Sequence, residues 1–249
     1  MPRTAAILCA AFGLLLSATT ACLAQDNDGF APLISVGDYT PHEEGEGGTF
    51  EGWTRRGGEA SYHVEGDAIV GVSKPHTPNT FLCSDRQYDD FVLEFDVKVE
   101  PPLNSGVQIR SECFDEPQTV TVAGNDGEEK SMRIPAGRVH GYQVEIDPSE
   151  RAWSAGIYDE ARRGWLAKLE GDEHAEARAA FDPTGWNHYR IEAEGDHLRT
   201  WINGVPAADL TDGMTASGFI ALQVHSIGGN PELVGKTVRW RNLRIKAAE

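Results

Sequence analysis

The chain has 249 residues, of which 40% are hydrophobic, and sets 39 Asp and Glu against 22 Lys and Arg for a formal net charge of −17. That balance argues against nucleic acid and anionic membrane surfaces as partners and leaves neutral ligands compatible. No signal for an oligomeric state is present.

At the N-terminus, Arg3 precedes an apolar run at residues 5–16 and a small-residue stretch at 17–24, the three-part order of a secretory signal. The run is too short, and too soon followed by Gln25-Asp26-Asn27-Asp28, to span a membrane. Cleavage after Ala24 is expected, which exports residues 25–249 to the periplasm or the extracellular space as one domain. Thr19-Thr20-Ala21-Cys22 approximates a lipoprotein box, but Thr19 stands where Leu is usual, so a lipid anchor on Cys22 ranks below ordinary cleavage. With Cys9 and Cys22 in this region, Cys83 and Cys113 remain for an oxidising compartment, where they could pair. If they flank the strand at 91–99 in a meander, however, they lie two strands apart, beyond bonding distance.

Period-two alternation dominates the rest. It predicts strands at residues 68–72, 91–99, 106–110, 142–147, 186–194, 198–203, 219–225 and 238–245. The clearest is 91–99, where Phe91, Leu93, Phe95, Val97 and Val99 face one way and Glu94, Asp96 and Lys98 the other. Gly66-Asp67, Gly195-Asp196 and Asn203-Gly204 tolerate positive φ and mark hairpin turns. The odd offset from Val238 and Trp240 to Leu243 and Ile245 predicts a bulge near Arg241-Asn242. One short helix is expected at 173–180. Long loops are expected at 37–48, 113–138 and 227–236, the middle one placed to cover a site. The whole reads as an all-β, two-sheet antiparallel sandwich.

The sequence has no Gly-x-Ser-x-Gly elbow, no His-Glu-x-x-His and no paired Cys-x-x-Cys, which removes local support for serine-hydrolase, zinc-protease and zinc-ribbon chemistry. Residues 229–237 imitate a phosphate loop, but with one residue too many and a strand where a helix should follow. Asn125-Asp126-Gly127-Glu128-Glu129 lacks the full ligand spacing of a calcium loop and reads as a solvated acidic turn.

With Tyr142, Val144 and Ile146 turned to the core, Gln143, Glu145 and Asp147 form a row on the opposite face. Gln108, Arg110 and Glu112 would form a second row over buried Val107 and Ile109, and Gln223 and His225 a third. For any single row, the polar outer face of a wet sheet is a sufficient explanation. The mixture of Arg, Gln, Glu and His with few Lys residues favours a site. Trp153, Tyr158, Trp165 and Trp201 lie outside the plainest core registers and are candidates for stacking on sugar faces, Trp201 first on alternation.

The ordered set Asn104-Ser105-Gly106-Val107-Gln108-Ile109-Arg110, residues 141–147 with Arg151-Ala152-Trp153-Ser154-Ala155-Gly156-Ile157-Tyr158, Arg163-Gly164-Trp165, Trp186-Asn187-His188-Tyr189-Arg190-Ile191, Trp201-Ile202-Asn203-Gly204, residues 218–225 and Arg241-Asn242-Leu243-Arg244-Ile245 resembles the 3-keto-disaccharide hydrolase domain family of bacterial exported proteins. The resemblance implies a jelly-roll sandwich of the concanavalin A-like lectin/glucanase type and action on glycosides oxidised to a ketone at carbon 3. Such a ketone acidifies the hydrogen on carbon 2, so a base removes it, the group on carbon 1 leaves, and water adds afterwards. On this logic Glu145 and His225 are the catalytic pair, in either assignment of base and acid. Arg110, Gln143 and Gln223 orient hydroxyls or the enolate, and Asp147, Tyr158, Trp165 and Trp201 contribute to substrate binding. A divalent metal at the enolate would serve as well, although no ligand cluster identifies one.

Two other readings compete. Glu145-Ile146-Asp147-Pro148-Ser149-Glu150 approximates the Glu-x-Asp-x-x-Glu motif of retaining β-glucanases, in which Glu145 and Glu150 would act as nucleophile and acid. Pro148 opposes this, because proline interrupts a strand and takes Glu150 off the face of Glu145. The other is a non-catalytic carbohydrate-binding module, which the same fold supports.

Overall fold

The computed structural model describes residues 28–124 and 128–247; the predicted signal segment with Cys9 and Cys22, and the turn at Asn125-Asp126-Gly127, lie outside them. In chain order the strands are β1 (Ala31–Pro32), β2 (Tyr39–Pro41), β3 (Gly48–Phe50), β4 (Trp53–Gly57), β5 (Ser61–Glu65), β6 (Ala68–Val72), β7 (Thr80–Tyr88), β8 (Phe91–Val99), β9 (Ser105–Cys113), β10 (Gln118–Ala123), β11 (Glu129–Ile134), β12 (Val139–Ile146), β13 (Ile157–Glu160), β14 (Gly164–Ala167), β15 (Asn187–Glu194), β16 (His197–Ile202), β17 (Val205–Thr211), β18 (Gly218–Val224) and β19 (Thr237–Ala247). A short helix, α1 (Ala175–Ala180), occupies the predicted helical stretch. No helix among the described residues is long and apolar enough to cross a membrane.

The strands build two antiparallel sheets. One has the order β17-β16-β15-β8-β19-β6-β5 with β1 beside β19; the other runs β14-β13-β12-β9-β18-β7-β4-β3-β2. Inward-facing residues of both meet in one core, with Leu93, Phe95, Val97, Tyr189 and Trp240 from the first and Val107, Tyr142, Val144, Ile220 and Leu222 from the second. Phe95 and Tyr189 stack at 5.1 Å. Burying each such side chain stabilises the sandwich by roughly 1.5–3 kcal/mol. The fold is therefore an antiparallel jelly-roll sandwich, in the class expected.

The predicted two-residue turns close three hairpins: Glu65 pairs with Ala68, Glu194 with His197, and Ile202 with Val205. Asn203 and Gly204 both have positive φ, as that turn requires. The bulge near Arg241-Asn242 is present, with Asn242 at φ 53° and a register shift before Arg244.

Two expectations change. Strand β8 does not separate the cysteine strands; it is central in the other sheet. Cys83 on β7 and Cys113 on β9 are instead separated by β18, and both thiols are free. Residues 113–138 are not a plain loop either. They carry the β10–β11 hairpin, in which Val122 and Ile134 are buried. The alternation in these short strands is diluted by charged and Thr residues, which hid them from pattern reading.

Candidate functional site

The nine-stranded sheet turns its outer face into a cleft of about 530 Å³, whose lining includes Asn104, Gln143, Glu145, Tyr158, Glu160 and His225. The register explains the gathering. Gln143 on β12 pairs with Gln108 on β9 and Tyr158 on β13, and Gly106 on β9 lies between Glu145 and Gln223 of the flanking strands. With a side-chain period of two, Gln143 and Glu145 share a face with Tyr158 and Glu160. Gly106 opens room for this row: a Cβ there would meet the Gln143 side chain at 2.6 Å.

The row is buried rather than wetted, with Gln108, Gln143, Glu145 and Gln223 each at most 5% exposed. Buried polar groups are normally paired, and these are, except that Gln223 Oε1 meets no hydrogen-bond partner among the described residues. Gln143 Oε1 accepts from Gln108 Nε2 at 2.7 Å and from Gln223 Nε2 at 2.8 Å, while its own Nε2 donates to Glu145 Oε2 at 2.9 Å. Glu145 Oε1 accepts from Asn104 Nδ2 at 2.8 Å and Arg151 Nη2 at 3.1 Å. Burial raises the pKa of Glu145 against these donors.

Across the cleft, Glu160 Oε1 accepts from Arg138 Nη2 at 2.6 Å and from Asn79 Nδ2 at 3.4 Å. Burial raises its pKa too, opposed by Arg138, His225 and Asn79. Asn79 just precedes β7, four strands from β13, so the sheet must curl to bring the two together. His225, one residue past β18, has Nδ1 at 2.7 Å from the Ser226 carbonyl. A carbonyl only accepts, so Nδ1 carries the hydrogen and a neutral ring leaves Nε2 as an acceptor. One wall is aromatic: Trp165 stands edge-on to Tyr158 at 5.3 Å and to Trp153 at 4.8 Å, with the Arg151 guanidinium over both Trp rings.

Several predicted site residues fall elsewhere. Arg110 is not in the cleft. Strand β9 bulges at Ile109-Arg110, where Arg110 has φ 44° and the register to both β12 and β18 shifts. The extra residue reverses the alternation: Ser111 takes the face of Gln108 and donates to its Oε1 at 2.8 Å, while Arg110 turns inward. There its guanidinium, 1% exposed, holds the Asp89 carbonyl at 2.7 Å, the Gly195 carbonyl at 2.6 Å and Asp90 Oδ1 at 2.8 Å. Glu112, also displaced from the predicted row, faces His140 at 3.7 Å. Trp201 belongs to the other sheet, between Arg190 and Arg199, each 5.9 Å from its ring. Asp147 lies just past β12 and does not line the cleft; its carboxylate takes the Arg151 Nε at 2.8 Å and orients that side chain. Burial works to raise Asp147, but the bonds from Ser149 and Arg151 outweigh it and leave the pKa lowered. Gln223 does not line the cleft; its Nε2 donates to Gln143 Oε1 from the far side of β9. Of the expected set, Gln143, Glu145, Tyr158, Trp165 and His225 line the cleft itself.

Glu150, the second carboxylate of the glucanase reading, is exposed beyond the strand end and lines no part of the cleft. Strand β12 stops at Ile146, two residues before Pro148. The β10–β11 arm does not roof the cleft either; Arg138, at its base, is what enters. Pattern reading missed Asn79, Arg138, Arg151 as a cleft residue, and Glu160. Glu160 was within reach, because alternation along Tyr158-Asp159-Glu160 puts it on the face of Tyr158. Arg138 and Asn79 carry no local signal.

A larger groove, about 760 Å³, runs along the N-terminal segment beside β19. Its Asp96 and His188 form an exposed pair at 2.9 Å. We assign the site to the smaller cleft because buried acid groups with raised pKa converge only there among these two hollows. Among the described residues, no three His, Cys, Asp or Glu side chains are grouped to hold a metal ion.

A lectin-type sandwich with a polar, carboxyl-bearing and aromatic-walled cleft on one sheet defines a carbohydrate-related protein. The chain belongs to the 3-keto-alpha-glucoside-1,2-lyase-like domain family, whose model matches residues 41–246. Among curated proteins none matches the sequence. Of solved structures, a protein of unknown function with a galectin-like fold from Bacillus subtilis is similar at 11% identity and a TM-score of 0.51, covering 78% of this chain and 88% of that one. The carbohydrate binding module CBM66 from Bacillus subtilis is similar at 17% identity and a TM-score of 0.49, covering 77% of this chain and 93% of the module.

Proposed function

We propose that the cleft binds glycosides already oxidised to a ketone at carbon 3 and cleaves them by removing the hydrogen on carbon 2, expelling the group on carbon 1 and adding water. The observation that carries this is Glu145, a buried carboxyl at the cleft floor held by three side-chain donors and raised in pKa by burial. A base so placed is oriented, and more basic than an ordinary carboxylate, which is what abstraction next to a ketone needs. Arg151 spends Nε on Asp147 and Nη2 on Glu145, and Nη1 makes no hydrogen bond to the described residues. Its charge beside the base suits the developing enolate oxygen. His225 Nε2 serves as an acceptor for a sugar hydroxyl, and the Tyr158–Trp165 wall offers ring faces and edges to the apolar side of the sugar.

The test is to incubate the purified protein with a 3-keto-glucoside, the unoxidised glucoside and a β-glucan, and to follow aglycone or reducing-sugar release. Release from the keto-glucoside alone is expected. Release from the glucan overturns the reading, and binding without release assigns the protein to the non-catalytic class.

A further inference from the structure

We propose that Glu160 is the general acid of this cleft, delivering a proton to the departing oxygen, while Glu145 is the carboxylate base. The assignment rests on the keto-sugar reading above, and it comes from the different hydrogen-bond sets of the two carboxyl groups.

Glu145 is held as an acceptor at both oxygens. Asn104 and Arg151 donate to Oε1, and Gln143 donates to Oε2. The Gln143 amide cannot turn over to offer its carbonyl instead, because Oε1 already accepts from Gln108 and Gln223. At the far end of the row the Ser111 hydroxyl donates to Gln108 Oε1. Donation runs from Ser111 to Gln108, from Gln108 to Gln143 and from Gln143 to Glu145. A resting proton on Glu145 Oε1 would displace a donor, and one on Oε2 would share that oxygen with the Gln143 N–H. When Glu145 takes a proton from substrate, the donor free to yield is Arg151, whose side chain is 39% exposed.

Glu160 is held differently. Both of its donors, Arg138 and Asn79, reach Oε1. Oε2 accepts from none of the described residues and is open to the cleft, so a proton rests there without breaking any bond. The group is only 5% exposed, which disfavours its ionised form. Tyr158 stands between the two carboxyls along the face, and all three line the cleft.

The steps balance. Glu145 takes the hydrogen of carbon 2, and the C–H electron pair becomes the enolate across carbons 2 and 3. The carbonyl at carbon 3 re-forms as that pair makes the bond between carbons 1 and 2. The C1–O bond breaks, and the departing oxygen takes the Glu160 proton. An alcohol and an enone result, with Glu145 protonated and Glu160 ionised. Water then adds to carbon 1 and gives its proton to Glu160, and Glu145 returns its proton to carbon 2. Both carboxyls are restored and nothing is oxidised or reduced.

Leaving-group dependence tests this. Methyl and 4-nitrophenyl 3-keto-glucosides are compared with wild-type protein, Glu160→Gln, Glu160→Asp and Glu145→Gln, each checked for folding by circular dichroism. Glu160→Gln is expected to lose about 100-fold or more in kcat on the methyl glycoside. Its loss on the nitrophenyl glycoside should be at least about tenfold smaller, because that oxygen departs without a proton. Glu160→Asp should recover part of the methyl rate, and Glu145→Gln should lose both substrates alike. Equal losses on both substrates in a folded Glu160→Gln or Glu160→Asp overturn the acid assignment and leave the keto-sugar reading standing. Wild-type protein that cleaves neither substrate overturns that reading, and this proposal with it.

Discussion

Arg110 offers a direct test of how the bulge in β9 divides structure from site. Replacement by Met keeps an unbranched apolar stem but removes the guanidinium, and with it the bonds to the Asp89 carbonyl, the Gly195 carbonyl and Asp90. The guanidinium is 1% exposed, whereas Asp90 is 44% exposed and rehydrates, so its ion pair contributes little to the balance. Losing two charge-assisted bonds to carbonyls, with those carbonyls left unpaired, costs roughly 3–5 kcal/mol. For a chain of this size that lowers the melting temperature by about 6–20 °C. Scanning calorimetry measures the drop, and steady-state kinetics well below the transition should find KM for a 3-keto-glucoside unchanged. A variant that melts within about 2 °C of wild type but no longer turns over substrate would refute the argument and return Arg110 to the binding site.

Further outcomes follow from the cleft. Because burial raises Glu145, its contribution to stability is fully present below the ordinary carboxylate range and lost as pH rises through the raised pKa. Glu145→Gln cannot ionise, so it should gain stability over wild type toward alkaline pH, by about 1.36 kcal/mol for each tenfold change in the ionisation constant on folding. Urea midpoints measured across pH check this, and a gap widest in acid contradicts it. Wild-type turnover should fall on acidification through the same pKa, seen in a pH–rate profile, since the base must be ionised. Trp165→Ala removes the aromatic wall beside Tyr158 and should raise KM about tenfold, or ~1.4 kcal/mol, with a smaller change in kcat. Gly106→Ala places a Cβ against Gln143, so kcat should fall while thermal melting records a loss of about 1–3 kcal/mol. Glu150→Gln, at an exposed position, should leave stability within about 0.5 kcal/mol and turnover unaltered; a large loss of activity would revive the glucanase motif.

What alternation could reach, it reached. The sandwich follows from strands such as Phe91–Val99, where every second residue is apolar, and from turns that need positive φ at Gly66, Gly195 and Asn203-Gly204. The same period placed Gln143 and Glu145 on one face, and extended by two residues from Tyr158 it reaches Glu160. It failed at Arg110, because one inserted residue reverses the face of everything beyond it, and β9 carries no Gly or Pro at the bulge to announce it. Trp201 fits the pattern equally well, but alternation says which face a residue takes within its own sheet and nothing about which sheet holds the strand.

The sequence by itself determined the all-β class, the hairpins and the polar row through Gln143 and Glu145, since these depend on contacts between residues near in the chain or on a fixed period of two. Only the tertiary structure decided that the row is buried and directionally bonded, and that Glu160 rather than Glu150 is the second carboxyl of the cleft. It alone brought Asn79 and Arg138 to Glu160. Those pairings cross 81 and 22 residues of chain, through a curl of the sheet that no local pattern encodes.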